Sequence, residues 1–252
     1  MSLLLRRSFP RSTLSLHLSP CAVTSPPPPA PSAPLPSLIV PTNSSLTSTS
    51  LFPYFPVGGR PPPGNRLSKN HWAPPGHVSS WGGMEAGPGM LYSAATVDGL
   101  VYLSAGASYA ASLASLRASL SPPPPLARLR SLLGAAPPPE PLPAGGPAAV
   151  LPASGALAPL FAELIHVAVP FPDEPGARRL LGRAWDAALE AAGEGGVVAP
   201  LLGAGCRGFG VGEAAGAARD AAGRCGGGEV RVVVREGGVG EEVKRVFLEG
   251  AG

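Results

Sequence analysis

Val197-Val198-Ala199-Pro200-Leu201-Leu202-Gly203-Ala204-Gly205-Cys206-Arg207-Gly208-Phe209-Gly210 decides the fold class. A β-branched, apolar run leads into a glycine-dense turn, and an alanine-rich helical pattern over 213–222 follows directly. Strand, glycine turn and helix start, in that order, build an anion cradle. Glycines let the backbone approach a phosphate closely, and the first-turn N–H groups of the helix point at it. The expected ligand therefore carries phosphate, in particular diphosphate.

Working outward, the same alternation repeats. Upstream, 164–169 reads as a strand stopped by Pro170, and 174–192 as a helix with Pro175 in its first turn and Gly193 past its end. Downstream, 229–234 is a strand by its β-branched content, and 241–248 a last helix. A short strand is expected at 38–40, a weak one at 148–151, and a helix over 99–120, where Leu and Ala recur at three- and four-residue spacing. Strands alternating with helices predict an α/β domain in three layers.

Two stretches break the alternation. Residues 47–80 lack periodicity and are rich in Pro and Gly, and 121–147 is proline-rich, so both are expected as low-complexity insertions in a domain spanning 37–252. The 34 Gly and 34 Pro of the chain are well above ordinary usage and concentrate partly in such runs.

No Asp or Glu precedes Glu85, and the first 24 residues combine Arg6, Arg7 and Arg11 with many Ser and Leu. That composition predicts an organelle transit peptide with a proline-rich linker over 1–36, and its Ser/Pro content favours plastid over mitochondrion. Those three arginines account for the whole formal net charge of +3, so the expected domain is neutral. Nothing predicts a nucleic-acid surface, which needs clustered cations on the folded domain. No apolar run reads as long enough to span a bilayer. Cys21, Cys206 and Cys225 have neither metal nor redox spacing, so no disulfide framework, metal or cofactor is expected.

Three separated segments resemble one family. Ile39-Val40-Pro41-Thr42-Asn43-Ser44-Ser45-Leu46 is similar to the I-V-N-x-A-N-x-x-L strand end of macrodomains. Leu164-Ile165-His166-Val167-Ala168-Val169-Pro170 resembles their I-I-H-x-V-x-P strand, and Pro200 through Phe209 resembles their second ligand loop. The resemblance implies an α/β/α macrodomain-like fold with a central mixed sheet. It further implies a site for ADP-ribose, or an ADP-ribosylated substrate, at the carboxyl ends of the strands.

On that resemblance Asn43 is the amide that holds the distal ribose, since an amide both donates to and accepts from a diol. Gly82-Gly83-Met84-Glu85 matches the glycine loop whose acid activates water in hydrolytic members, which makes Asn43 and Glu85 the catalytic candidates. Gly203, Ala204, Gly205, Cys206, Arg207, Gly208 and Phe209 match the loop that wraps the diphosphate. Phe209 reads equally as a ribose platform or a core residue. Arg207 reads as solvated surface before phosphate partner, and His166 as a buried, hydrogen-bonded strand residue before catalyst. The departures are that Pro36 stands where the family carries an adenine-reading acid, and Val40 where it has a first asparagine.

Several functions stay open. One is an ADP-ribosyl or O-acetyl-ADP-ribose hydrolase. Others are a non-catalytic ADP-ribose reader or a degenerate macrodomain. The last is a nucleotide-dependent oxidoreductase that uses 203–208 as a G-x-G-x-x-G loop.

Overall fold

The computed structural model describes residues 1–29, 33–44, 46, 97–120, 140–193, 195–205, 207–235 and 237–249. Seven strands form one sheet: β1 (Ser2–Ser8), β2 (Thr13–Leu18), β3 (Ser37–Thr42), β4 (Ala149–Pro152), β5 (Glu163–Ala168), β6 (Val197–Pro200) and β7 (Glu229–Val234). Their spatial order is β1-β2-β7-β6-β3-β5-β4. Neighbours from β2 through β5 are parallel, and the edge strands β1 and β4 run antiparallel, so the sheet is mixed. The helices are α1 (Val97–Leu120), α2 (Ala177–Glu190), α3 (Val211–Arg224) and α4 (Gly237–Leu248).

Alternation along the strands sorts the helices into two layers. Ile39, Ile165, Val167, Val230, Val232 and Val234 face α2, α3 and α4, where Leu181, Trp185, Ala218 and Phe247 complete one core. Leu38, Val40, Leu164, Val198 and Val233 face the other way, against Val101, Ala105, Tyr109 and Leu113 of α1. Burial on both faces is why the central strands read as continuous apolar runs.

The expected boundary at residue 36 does not divide the fold. Residues 2–18, expected in a presequence, are two strands of the sheet, and β2 pairs along its whole length with β7. The physical cause is legible in hindsight: Thr13-Leu14-Ser15-Leu16-His17-Leu18 alternates apolar and polar, the pattern of a half-buried strand. Leu14 and Leu16 have no solvent exposure. On the opposite face the Ser15 hydroxyl donates to Glu229 Oε1 at 3.2 Å, and Glu229 Oε2 accepts from Arg231 Nε at 2.9 Å. Arg7 serves the fold as well, donating to the Phe247 and Glu249 carbonyls at the end of α4.

The second expected insertion also needs correcting at its end. Residues 140–147 belong to the packed body: Leu142 is buried and its N–H donates to the Ser44 carbonyl at 2.9 Å, while Gly145 N–H reaches the Ala168 carbonyl at 3.2 Å. Residues 47–80 and 121–139 lie outside the described residues.

By length and mean hydropathy α1 qualifies as a bilayer span, contrary to the expectation that no such run exists. In the fold it is broken at Gly106 (φ 77°, ψ −166°), a backbone region open essentially to glycine alone. Its inward side packs on the sheet, and Ser154 donates to the freed Ala105 carbonyl at 3.1 Å.

Candidate functional site

The site is built where strands end. β3 pairs with β6 only at Ser37 and Leu38, then continues with β5 alone. The sheet therefore opens between β3 and β6 toward their carboxyl ends. Pro41 is tolerated there because it lies beyond the β6 pairing. Crevices outside the carboxyl ends of strands are where α/β sheets take ligands.

Three chain segments meet at this opening. The first follows β3: Asn43 is buried, and its carbonyl accepts from the Leu46 N–H at 3.1 Å, closing a turn. Leu46 holds φ 51°, a left-handed conformation that disfavours a leucine, and its buried side chain anchors it there. Left-handed non-glycine residues held by their surroundings cluster at ligand sites. The second segment follows β5, where Phe171 is buried and its N–H donates to Glu174 Oε1 at 3.0 Å.

The third segment is the glycine loop after β6. Gly203 (φ 89°) and Gly208 (φ 83°) both take left-handed conformations. Phe209 N–H donates to the Gly203 carbonyl and Gly208 N–H to the Gly205 carbonyl, each at 3.0 Å, which folds the loop on itself. The loop then enters α3 at Gly210, with no side chain capping the helix. The first-turn N–H groups have no intrahelical acceptor and carry the positive end of the helix dipole. Glu213 in that turn is held by Arg178 of α2.

Among the expected site residues, Asn43, Gly203, Ala204, Gly205, Arg207, Gly208 and Phe209 are thus on segments that converge. Gly82, Gly83, Glu85 and Cys206 lie outside the described residues. Phe209 packs in the core at 4 % exposure, and a Cβ on Gly203 would meet its ring at 2.9 Å, so it does not present a platform to solvent. Arg207 is not solvated surface. Its Nη2 donates to the Thr42 carbonyl at 3.1 Å, and its guanidinium lies 4.3 Å from the centre of the Phe171 ring. Val40 points into the core under α1, with no exposure.

His166 sits in the middle of β5 below the opening, fully buried, as expected. Its ring stacks on Tyr109, and its Nε2 lies 3.3 Å from the Tyr109 hydroxyl. Burial and the Asp98 carboxylate push the Tyr109 phenol far above its ordinary value, so the phenol keeps its proton. His166 Nδ1 has no partner, and burial lowers the imidazole to about 4.

Sequence reading missed the segment 140–146, which buttresses both the Asn43 turn and the end of β5. Its only signal was Leu142 inside a run of prolines. Among the described residues no cluster of His, Cys, Asp and Glu is fit to hold a metal. A concavity of about 580 Å³ lies at the opposite end of the sheet, between the α2 end and the start of β7, lined by Glu190, Gly196, Cys225 and Gly228. No strand ends carboxyl-first there and no helix starts there, so it lacks the N–H donors of the glycine loop.

No family model and no curated protein matches the chain. Solved structures do. The Oceanobacillus iheyensis macrodomain superposes with a TM-score of 0.57 at 15% identity, over 96% of this chain and 94% of that one. A Trypanosoma brucei macrodomain gives 0.51 at 11% identity, over 92% of this chain and 68% of that one. This topology rules against the oxidoreductase alternative, since the glycine loop follows β6, after which only one further strand occurs among the described residues. Seven mixed strands in this order, sandwiched between two helical layers and carrying a glycine loop at the central opening, are the macrodomain fold.

Proposed function

We propose that the chain binds ADP-ribose, or an ADP-ribosyl group on another molecule, at the carboxyl ends of β3, β5 and β6. The observation that carries this reading is the folded glycine loop feeding the uncapped start of α3 beside the Asn43 turn. Diphosphate is received by loop and first-turn N–H groups, where the dipole and close backbone approach favour an anion. The Asn43 amide is then on hand for a ribose diol. In support, the Oceanobacillus iheyensis macrodomain has been solved with ADP and a variant of it with ADPR. Isothermal titration of ADP-ribose into the full chain tests the reading, with AMP and NAD as controls. Binding of ADP-ribose in preference to both supports it, and absence of binding removes it.

The finer reading is hydrolysis of the bond that joins the distal ribose to its substituent. Its support is the run Gly82-Gly83-Met84-Glu85, whose carboxylate has the chemistry to deprotonate an attacking water. Turnover of ADP-ribosylated protein by the parent and by Glu85→Gln decides it. Loss of turnover with binding retained supports Glu85 as the base, and full activity in the variant excludes it.

A further inference from the structure

We infer that Arg207 is a positioning residue that clasps the three ligand segments together and presets the Asn43 turn against the glycine loop. This rests on the ADP-ribose reading for its ligand, but its structural half stands apart from it. Beyond Leu38, β3 pairs with β5 alone. Thr42, the last residue of β3, pairs with Ala168 of β5. Arg207 adds a side-chain donor at that strand end, with Nη2 at 3.1 Å from the Thr42 carbonyl. Asn43 is the next residue, so the contact fixes the backbone from which its amide projects.

The same guanidinium lies over the Phe171 ring, 4.3 Å from its centre, and so holds the segment after β5. Phe171 is itself fixed by the bond from its N–H to Glu174. One side chain on the third loop thereby touches the first two. A directional N–H and a planar face are both required, and arginine supplies them together where lysine does not.

The test uses hydrogen exchange on the ligand-free full chain, comparing the parent with Arg207→Met and Arg207→Lys. The Leu46 and Phe171 amides are both hydrogen-bonded at the clasped segments. Their exchange is expected to quicken about tenfold in both variants, with β7 amides unchanged, as for a local opening that loses a charge-assisted bond. Unchanged exchange at both segments overturns the clasp, whatever the ligand proves to be. In titrations, both variants are expected to bind ADP-ribose about tenfold more weakly through lost preorganisation. Full parental affinity in Arg207→Lys overturns the positioning role in favour of a simple phosphate charge contact. If the parent itself binds no ADP-ribose, the functional reading fails and the exchange arm alone decides the clasp.

Discussion

Acidification strikes this fold at one buried ring. His166 is held at about 4 in the folded chain, against an ordinary value of 6.5. The unfolded chain therefore takes up a proton across that interval that the folded chain refuses, and stability falls as pH drops through it. No carboxylate offsets an imidazolium at this position: Nε2 faces the Tyr109 hydroxyl and Nδ1 has no partner. Linkage gives a loss of about 2 kcal/mol between about pH 7.5 and about pH 5. At a urea sensitivity of about 2 kcal/mol per molar, the midpoint moves down by roughly 1 M. His166→Gln keeps a polar partner for Tyr109 and cannot titrate, so the difference between parent and variant isolates the ring. His17 is also lowered, chiefly by burial and against the pull of Glu229, and acts in the same direction. A parallel His17→Gln series removes that contribution. Equal pH dependence in the parent and His166→Gln would refute the reasoning.

Three further outcomes follow from the packing. Deleting residues 1–18 removes two strands, bares the β7 edge and strips Leu14 and Leu16 from the core. Two such leucines are each worth about 1.5–3 kcal/mol, against a net stability of about 5–15 kcal/mol. The truncated chain should therefore lose its cooperative unfolding transition, and a monomeric, cooperative product would show the strands to be dispensable. Gly203→Ala combines a left-handed φ with a Cβ 2.9 Å from the Phe209 ring, and should cost about 1–3 kcal/mol by urea melting. Gly205→Ala, with open space around its Cβ and no positive φ, should melt like the parent. Trp185 is fully buried with an unpartnered Nε1, so Trp185→Phe should change stability by less than about 1 kcal/mol or raise it. A loss of about 3 kcal/mol or more would show that the N–H has a partner in solution.

Much of this fold was legible because its strands obey simple physics. β5 was marked by an apolar run stopped by Pro170, β7 by its β-branched content, and α2 by Pro175 just before it and Gly193 past its end. β1 and β2 were hidden by composition. A lack of acids and three arginines predict a presequence over the same residues in which Thr13–Leu18 carries the alternation that the sheet uses. Removal of residues 1–36 would take two strands from the sheet.

The site was legible in part for the same reason. A glycine turn between strand and helix has one common geometry, so the loop after β6 could be placed from local sequence. Arg207 could not, because its role depends on Thr42 and Phe171, which lie far from it in the chain and beside it in space. Phe209 was undecided between ligand and core, and in the fold it is buried against Gly203. The strain at Leu46 has no local signature either, because a buried anchor creates it rather than a turn residue.

On the proposed function, ADP-ribose is expected on the glycine loop and not in the concavity at the other end of the sheet. Amide chemical shifts of the full, labelled chain during an ADP-ribose titration test this directly. Gly203, Ala204, Gly205, Gly208, Val211 and Gly212 are expected to move, together with Asn43, while Gly196 and Cys225 through Val230 stay in place. Movement confined to Gly196 and 225–230, or no movement anywhere, would contradict it.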